Sequence, residues 1–265
     1  MATRARTIPA VVLAAGDGGR LGAHTADAPK PLLRLGARPL IDYTLCALAE
    51  AGVEDVVVVT GYRSDQLKES LLRRRPGGVR LSFAYNPQFY RGASYSLRAA
   101  RPLVDGQSFL LTMSDHLLST ELVAGLLDAA RQHPERTFVA ADSEERSPRY
   151  TQEATKLDIA PGGRVTAIGK GLRHWSAFDA GAFVVRPSIW DAVNAVEEDC
   201  ELGVIFSELA RRGELYAADV SGAFWYDVDT EEDLREAAEL LEVPLDPSRL
   251  SPRVAVAVDG DPMPV

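Results

Sequence analysis

An apolar run from Ile8 to Ala15 empties straight into Gly16-Asp17-Gly18-Gly19-Arg20, and this junction constrains the chain more than any other stretch. The run reads as a buried strand. Glycine lacks a Cβ, so the turn that follows can be tight and can bring its backbone close to a ligand. Successive N–H groups in such a turn form a concave anion site. Arg20 adds a planar donor fork suited to phosphate. Lys30 lies between Pro29 and Pro31, whose fixed φ mounts it on a stiff, extended segment. Strand, glycine turn, arginine and lysine together predict a polyphosphate cradle built from Gly16, Asp17, Gly18, Gly19, Arg20 and Lys30, with Ala14 and Ala15 leading into it. Two familiar loops are excluded. No lysine follows the glycines at Walker A spacing, and the position that must be the last glycine of a dinucleotide fingerprint is Leu21.

Beyond the turn, near-continuous apolar runs alternate with helix-like stretches. Strands are expected at 56–60, 79–85, 108–113 and 137–141, and helices at 39–51, 64–74, from the 86–96 loop to about 100, and from a Ser119 cap to 132. Such repeats predict a mostly parallel sheet with helices on both faces. Ligands of these sheets bind beyond the carboxyl ends of the strands. The glycine turn, Gly61 and Asp115 all fall there. After Asp142 the pattern changes. A charged loop is expected at 143–149, a hairpin at 156–168, a strand at 177–185, helices at 187–196 and 202–212, and strand-like segments at 215–220 and 223–226. Thr230-x-x-Asp233 approximates a capping box before a last helix that ends near 241. The organisation expected is one domain over 1–243, with a nucleotide-binding half at about 8–142 and an acceptor and metal half at about 143–243. A proline-rich tail, 244–265, follows.

The chain has 265 residues, 46% of them hydrophobic, enough for one large α/β core. Its formal net charge of −9 argues against nucleic acid as a partner, so a phosphate ligand must be met by local donors and metal. Cys46 and Cys200 form no C-x-x-C pair and read as reduced thiols. No apolar run is long enough to span a membrane, and the segment before the first strand is too short for a signal peptide, so a cytoplasmic location is expected.

The candidate carboxylates are far apart in sequence. Asp115 ends a strand in Met113-Ser114-Asp115-His116 and reads either as a metal ligand or as a helix N-cap. Asp227 and Asp229, in Trp225-Tyr226-Asp227-Val228-Asp229-Thr230, are the candidates for a second ligand. Asp227 follows a strand directly, and Asp229 also has a capping explanation. Asp179 interrupts an apolar strand, which costs energy unless the charge is paired.

The N-terminal stretch resembles the signature L-A-A-G-x-G-x-R-L…P-K-P-L-L of nucleotidyltransferases that join a nucleoside triphosphate to a sugar, polyol or choline phosphate. Residues 8–242, through TMSDH, NPQFYRGASYSL, AIGKGL, FDAGAFVV and FWYDVDTEEDL, most resemble inositol-1-phosphate cytidylyltransferases. The resemblance implies a Rossmann-like, three-layer αβα fold with a small antiparallel extension on the acceptor side. It implies Mg²⁺ held by Asp115 and Asp227, and catalysis by Arg20, Lys30 and Asp115 without a general base. Asn86 and the Gly92–Ser96 segment, with Ser94 and Ser96, would read the base, although Asn86 in an Asn-Pro pair is equally a turn residue. Lys170 would take the acceptor phosphate and Asp179 the acceptor hydroxyls. Gly181 would let the acceptor ring approach. His116 joins this acceptor side in a positioning role, and neither it nor His174 is expected as a metal ligand.

The implied partners are small molecules: CTP and inositol 1-phosphate, giving CDP-inositol and pyrophosphate. A separate membrane-embedded phosphatidyl-type transferase is implied by analogy, and a homodimer is left open. Alternatives remain: a sugar-1-phosphate transferase using UTP, dTTP or GTP; a phosphocholine or phosphonate cytidylyltransferase, the former with Trp175, Phe178 and Trp225 as an aromatic cage; and a nucleotide-sensing regulatory subunit without turnover.

Overall fold

A computed structural model describes residues 7–19, 21, 28–74, 76–145 and 147–244. The first half contributes β1 (Ala10–Ala14), a small ribbon of β2 (Arg34–Leu35) and β3 (Arg38–Pro39), α1 (Leu40–Glu50), β4 (Asp55–Thr60), α2 (Ser64–Arg74), β5 (Arg80–Tyr85), α3 (Ala93–Val104), β6 (Phe109–Met113), β7 (His116–Leu118), α4 (Thr120–Gln132) and β8 (Thr137–Asp142). The second half contributes α5 (Pro148–Glu153), β9 (Lys156–Ile159), β10 (Val165–Gly169), β11 (Ala177–Val185), α6 (Ile189–Ala195), α7 (Leu202–Arg211), β12 (Leu215–Asp219), β13 (Trp225–Asp227) and α8 (Glu231–Leu240).

Among the described residues, nine strands form one sheet. β6, β1, β4 and β5 run parallel side by side. β11 enters antiparallel between β6 and β8, and β12 joins β8 in parallel at the edge. The hairpin β9–β10 attaches to the first residues of β11 as the antiparallel extension. The two sequence halves therefore share one sheet. β1 is buried along its whole length because alternate residues feed two cores. Ala10, Val12 and Ala14 meet Leu45 of α1, Leu71 of α2 and Leu126 of α4. Val11 and Leu13 face Leu97 of α3 and Phe206 of α7. This is the expected three-layer αβα arrangement.

A smaller core gathers Leu21, Leu33, Leu35, Leu117, Tyr226, Val228 and Leu234. It binds the C-terminal segment to the chain just after the glycine turn. Thr230 caps α8 with the expected reciprocal bonds to Asp233.

Three local readings change. α3 runs past Pro102 to Val104, where an end near 100 was expected. A proline in the last turn removes one bond, whereas the stripe of Leu97, Ala100 and Val104 is fully buried. The charged 143–149 loop ends in a helix, because the Ser147 hydroxyl accepts from Tyr150 N and a proline opens the turn. His116–Leu118, where no strand was expected, pairs with Trp225–Asp227. The tail from 245 onward lies outside the described residues.

β8 also fastens the C-terminal segment. The Trp225 indole N–H donates to Asp142 Oδ2 at 2.8 Å, and Asp142 has no exposed surface. Trp225→Phe removes a donor from a buried carboxylate and is expected to cost about 1–3 kcal/mol. Urea unfolding of the two proteins checks this, and equal midpoints would refute it.

Candidate active site

β1 ends at Ala14 and the chain turns through Gly18 at φ +70°. The Asp17 carboxylate folds back to accept Gly19 N at 3.1 Å, which fixes the turn. Gly18 is the turn position that needs glycine for its backbone. A Cβ on Gly16 would meet nothing within 4 Å, so that residue opens onto free space. The loop forms one wall of a cavity of about 600 Å³, whose other walls include Lys30, Tyr90, Gly92, Ser96 and Asp115. Ala14 and Ala15 line it as well. Arg20 lies outside the described residues.

The Lys30 ammonium sits 2.5 Å from Asp115 Oδ2 and 2.8 Å from Asp229 Oδ1. Burial opposes its charge, but the two carboxylates outweigh that and hold the lysine well above its usual range. For Asp115 burial likewise favours the neutral form, and Lys30 and His116 overcome it, keeping the carboxyl far below the usual carboxylate range. Asp115 is not a helix cap, since Ser119 caps α4. The capping explanation for the Asp229 side chain gives way to its ion pair with Lys30, while its backbone N–H donates to Asp233.

The register of β7 on β13 sets His116 opposite Asp227. Val228 N donates to Asp115 O at 3.1 Å. Two short segments far apart in sequence thus bring the aspartates together. His116 Nδ1 lies 3.1 Å from Asp115 Oδ1 and 3.9 Å from Asp227 Oδ1. Burial opposes a charge on the ring, but Asp227, Asp115 and Asp179 push its pKa up to about 9. Asp227 is pushed up to about 6, first by desolvation, against the pull of His116 and with Asp115 and Asp229 adding repulsion.

Ligand atoms of Asp115, His116 and Asp227 all lie within 4.8 Å of one another. Asp227 Oδ1 is buried with no hydrogen-bond partner. Two hard carboxylate donors and an orphaned oxygen fit a divalent cation such as Mg²⁺.

A second cavity of about 550 Å³ has Asp227 in its wall. Lys170, Asp179, Gly181 and His116 line it, and it shares Ala93, Met113, Glu201 and Asp229 with the first. The sheet bulges here. β11 shifts register between Asp179 and Phe183, and the Asp179 carboxylate accepts Gly181 N at 2.9 Å. The ring that approaches Gly181 is that of His116. A Cβ on Gly181 would fall 1.8 Å from His116 Cδ2, and φ there is +77°. The closeness expected for an acceptor ring is filled by the imidazole. Lys170 is carried on a turn whose carbonyl accepts the buried Lys156 ammonium at 2.9 Å.

Three residues expected at the nucleotide are absent from the wall of the first cavity. Gly61 packs on the Ala15 carbonyl and Phe89, where a Cβ would meet atoms at 2.6–2.7 Å. Asn86 is 2% exposed, with Nδ2 donating to Ser96 Oγ and Oδ1 accepting Gln88 N. It is a turn residue, the alternative its Asn-Pro pair allowed. The Ser94 hydroxyl donates to Glu198 O. Of the three candidate cage aromatics only Trp225 lines the second cavity. Sequence reading missed Glu201, which no motif marks. It also missed Lys156, the buried residue that opens β9, because a lysine at a strand start beside Asp158 reads as an ordinary exposed charge.

Residues 10–212 match the family described as MobA-like NTP transferase domain. The "Bifunctional IPC transferase and DIPP synthase" of Thermococcus kodakarensis is 33% identical over 234 residues, covering 88% of this chain and 50% of that protein. The protein of the same name from Aquifex aeolicus is 32% identical over 233 residues, covering 88% and 51%. The chain thus spans about half the length of these curated relatives. Among solved structures, the inositol-1-phosphate CTP transferase of T. maritima superposes with a TM-score of 0.76 at 26% identity, covering 90% of this chain and 98% of that one.

Burial pushes Asp179 up to about 6, opposed by the Gly181 N–H and His116 and reinforced by Asp227. The unfolded chain releases the same proton near pH 4. Between about pH 4 and 6 the native state then holds more protons, and this contribution to stability falls as pH rises. Asp179→Asn is expected to flatten that fall and to be the more stable protein at pH 7. Denaturation midpoints at pH 4.5 and 7 in chelator check it, and a steeper fall in the variant would refute it.

Proposed function

Because this chain belongs to the MobA-like NTP transferase family, we propose that it moves CMP from CTP onto a phosphorylated polyol, inositol 1-phosphate, releasing pyrophosphate. One observation carries the reading: two cavities share a wall, with Asp115 on one side and Asp227 on the other. A triphosphate against the glycine turn and a phosphate monoester near Lys170 would meet at that wall. The T. maritima transferase and the two bifunctional relatives support CTP and inositol phosphate as the pair.

The chemistry asks little of a base. A phosphate monoester has a second pKa of about 6 and is already largely a dianion at neutral pH. Positioning two polyanions and neutralising their charge is the hard part. Among the described lining residues, Asp17, Asp115, Glu153, Asp179, Glu201, Asp227 and Asp229 stand against Lys30, Lys170 and the charged His116. Polyanionic substrates therefore need cations from outside the wall. Asp115 and Asp227 would hold Mg²⁺, which supplies charge neutralisation at the reacting phosphates. Lys30 neutralises part of Asp115 and Asp229, lowering the repulsion that the triphosphate meets. Arg20 would grip the triphosphate. Lys170 would bind the acceptor phosphate, held in place by Lys156 at its carbonyl. Asp179 would accept from acceptor hydroxyls. The reading sets the reaction in the cytoplasm and assigns consumption of the activated polyol to a membrane-embedded transferase. Among the described residues no helix is long and apolar enough to cross a membrane.

Pyrophosphate release is measured with four triphosphates against inositol 1-phosphate, sugar 1-phosphates, phosphocholine and a phosphonate. CTP with inositol 1-phosphate should be the preferred pair, and preference for any other pair would overturn the assignment. Asp115→Asn should lower kcat by about a hundredfold or more, the loss of several kcal/mol of metal-derived stabilisation, with the fold retained by circular dichroism. Near-normal turnover of that variant would remove Asp115 from the centre. Lys170→Ala should raise the KM for inositol 1-phosphate about tenfold, the scale of one charge-assisted contact, and leave the KM for CTP unchanged. A loss confined to CTP would refute its role.

A further inference from the structure

We propose that Glu201 is a specificity-determining residue that accepts hydrogen bonds from a vicinal pair of hydroxyls where the two cavities meet. The inference rests on the reading of those cavities as sites for a nucleoside triphosphate and a phosphorylated polyol. Glu201 lines both of them. The other shared lining residues are Ala93, Met113 and Asp229, and the carboxylate of Asp229 is engaged by Lys30. Glu201 precedes α7, yet its side chain makes no capping bond there. Among the described residues its carboxylate has no hydrogen-bond or ion-pair partner.

A carboxylate in that place repels phosphate, so its complement is the part of each substrate that carries O–H donors. Two carboxylate oxygens suit two adjacent hydroxyls, and an ionised acceptor makes the stronger hydrogen bonds. Both substrates offer such a pair, on the ribose of the nucleotide and on the ring of the polyol. Hydroxyl recognition by a charged group also discriminates well, because an analogue without the hydroxyl leaves that group unmatched.

The backbone beside Glu201 is stitched to the nucleotide side of the site. Ser94 N donates to Cys200 O at 3.1 Å, and the Ser94 hydroxyl donates to Glu198 O. The Arg91 guanidinium lies 2.7 Å from Asp199 and stacks on Tyr95, whose hydroxyl donates to Glu198 at 2.9 Å. A Cβ on Gly92, itself on the nucleotide cavity wall, would sit 3.1 Å from Cys200 O. The segment that carries Glu201 is thereby fixed by several bonds, and its free side chain is the part left to meet a ligand.

Wild type, Glu201→Ala and Glu201→Gln are compared on two arms. One sets CTP against 2′-deoxy-CTP with inositol 1-phosphate, and the other sets inositol 1-phosphate against cyclohexyl phosphate with CTP. Wild type should prefer the hydroxylated substrate by about tenfold to a hundredfold on one arm, the range for hydrogen bonds to a charged group. The alanine variant should lose that preference and the glutamine variant part of it, with the thermal midpoint unchanged. Loss on the nucleotide arm assigns the ribose, and loss on the acceptor arm assigns the polyol. Unchanged preference on both arms overturns the proposal while leaving the transferase reading intact. Should wild type release no pyrophosphate with any pair, the transferase reading fails by itself. Glu201 is then judged from equilibrium affinities for CTP against 2′-deoxy-CTP and for inositol 1-phosphate against cyclohexyl phosphate, where equal ratios in wild type and Glu201→Ala on both overturn its role.

Discussion

A row of alternating charges holds this site together: Asp229, Lys30, Asp115, His116, Asp227, with neighbouring groups 2.8, 2.5, 3.1 and 3.9 Å apart. Each cation is buried between two carboxylates, and in each case those two carboxylates come from distant parts of the chain. Lys30 belongs to the segment after the glycine turn, Asp115 and His116 to the end of the fourth sheet strand and its continuation, and the other aspartates to the C-terminal segment. Burying one such charge alone is prohibitive, and removing one partner of a buried pair is strongly destabilising. The row is therefore better understood as fixing register among three distant segments than as a source of net stability. The small core of Leu33, Leu117, Tyr226 and Val228 beneath it supplies apolar burial on the same three segments.

Much of this could be read from the sequence because strong local chemistry marks it. The glycine turn announces itself by composition, Lys30 by its prolines, and Asp115 by its place at the end of an apolar run. Asp179 stands out as a charge among Phe178, Ala180 and Ala182. A strand-like segment at 223–226 was legible, but β7 and its pairing with β13 stayed hidden because a three-residue strand carries too little periodicity to register. Asn86, Ser94 and Gly61 carry donors or backbone freedom, as ligand-facing residues do, but here they satisfy neighbouring backbone and packing. Residue type cannot separate the two uses, since an Asn that reads a base and an Asn that closes a turn make the same kinds of bond. Gly181 was legible as a point of close approach, yet what approaches it, the His116 ring, depends on a bulge that only the folded sheet defines.

That bulge links the sheet to the chemistry. β11 runs antiparallel against β6 through Ala182–Val185, then shifts register so that Asp179 and Gly181 turn toward the site. A regular strand would alternate its side chains across the two faces and could not give the imidazole this space. Glycine at positive φ costs conformational freedom on folding, and the return is a histidine seated against both aspartates and within the field of Asp179.

The same row marks where a cation would fit. Its ends are not equivalent. Asp229 ends the row against a lysine at 2.8 Å, whereas Asp227 ends it 3.9 Å from His116, too far for a hydrogen bond, with Oδ1 buried and unmatched. With Lys30 and His116 both charged, three carboxylates still exceed two cations by one negative charge. Within the row, that excess is not shared evenly. It falls at the free Asp227 oxygen, which lines the second cavity. A divalent ion there would answer the protein's own unmatched carboxylate and the charge of both substrates at once. For that reason the deficit of positive charge on the cavity walls reads as a functional arrangement rather than a defect of packing.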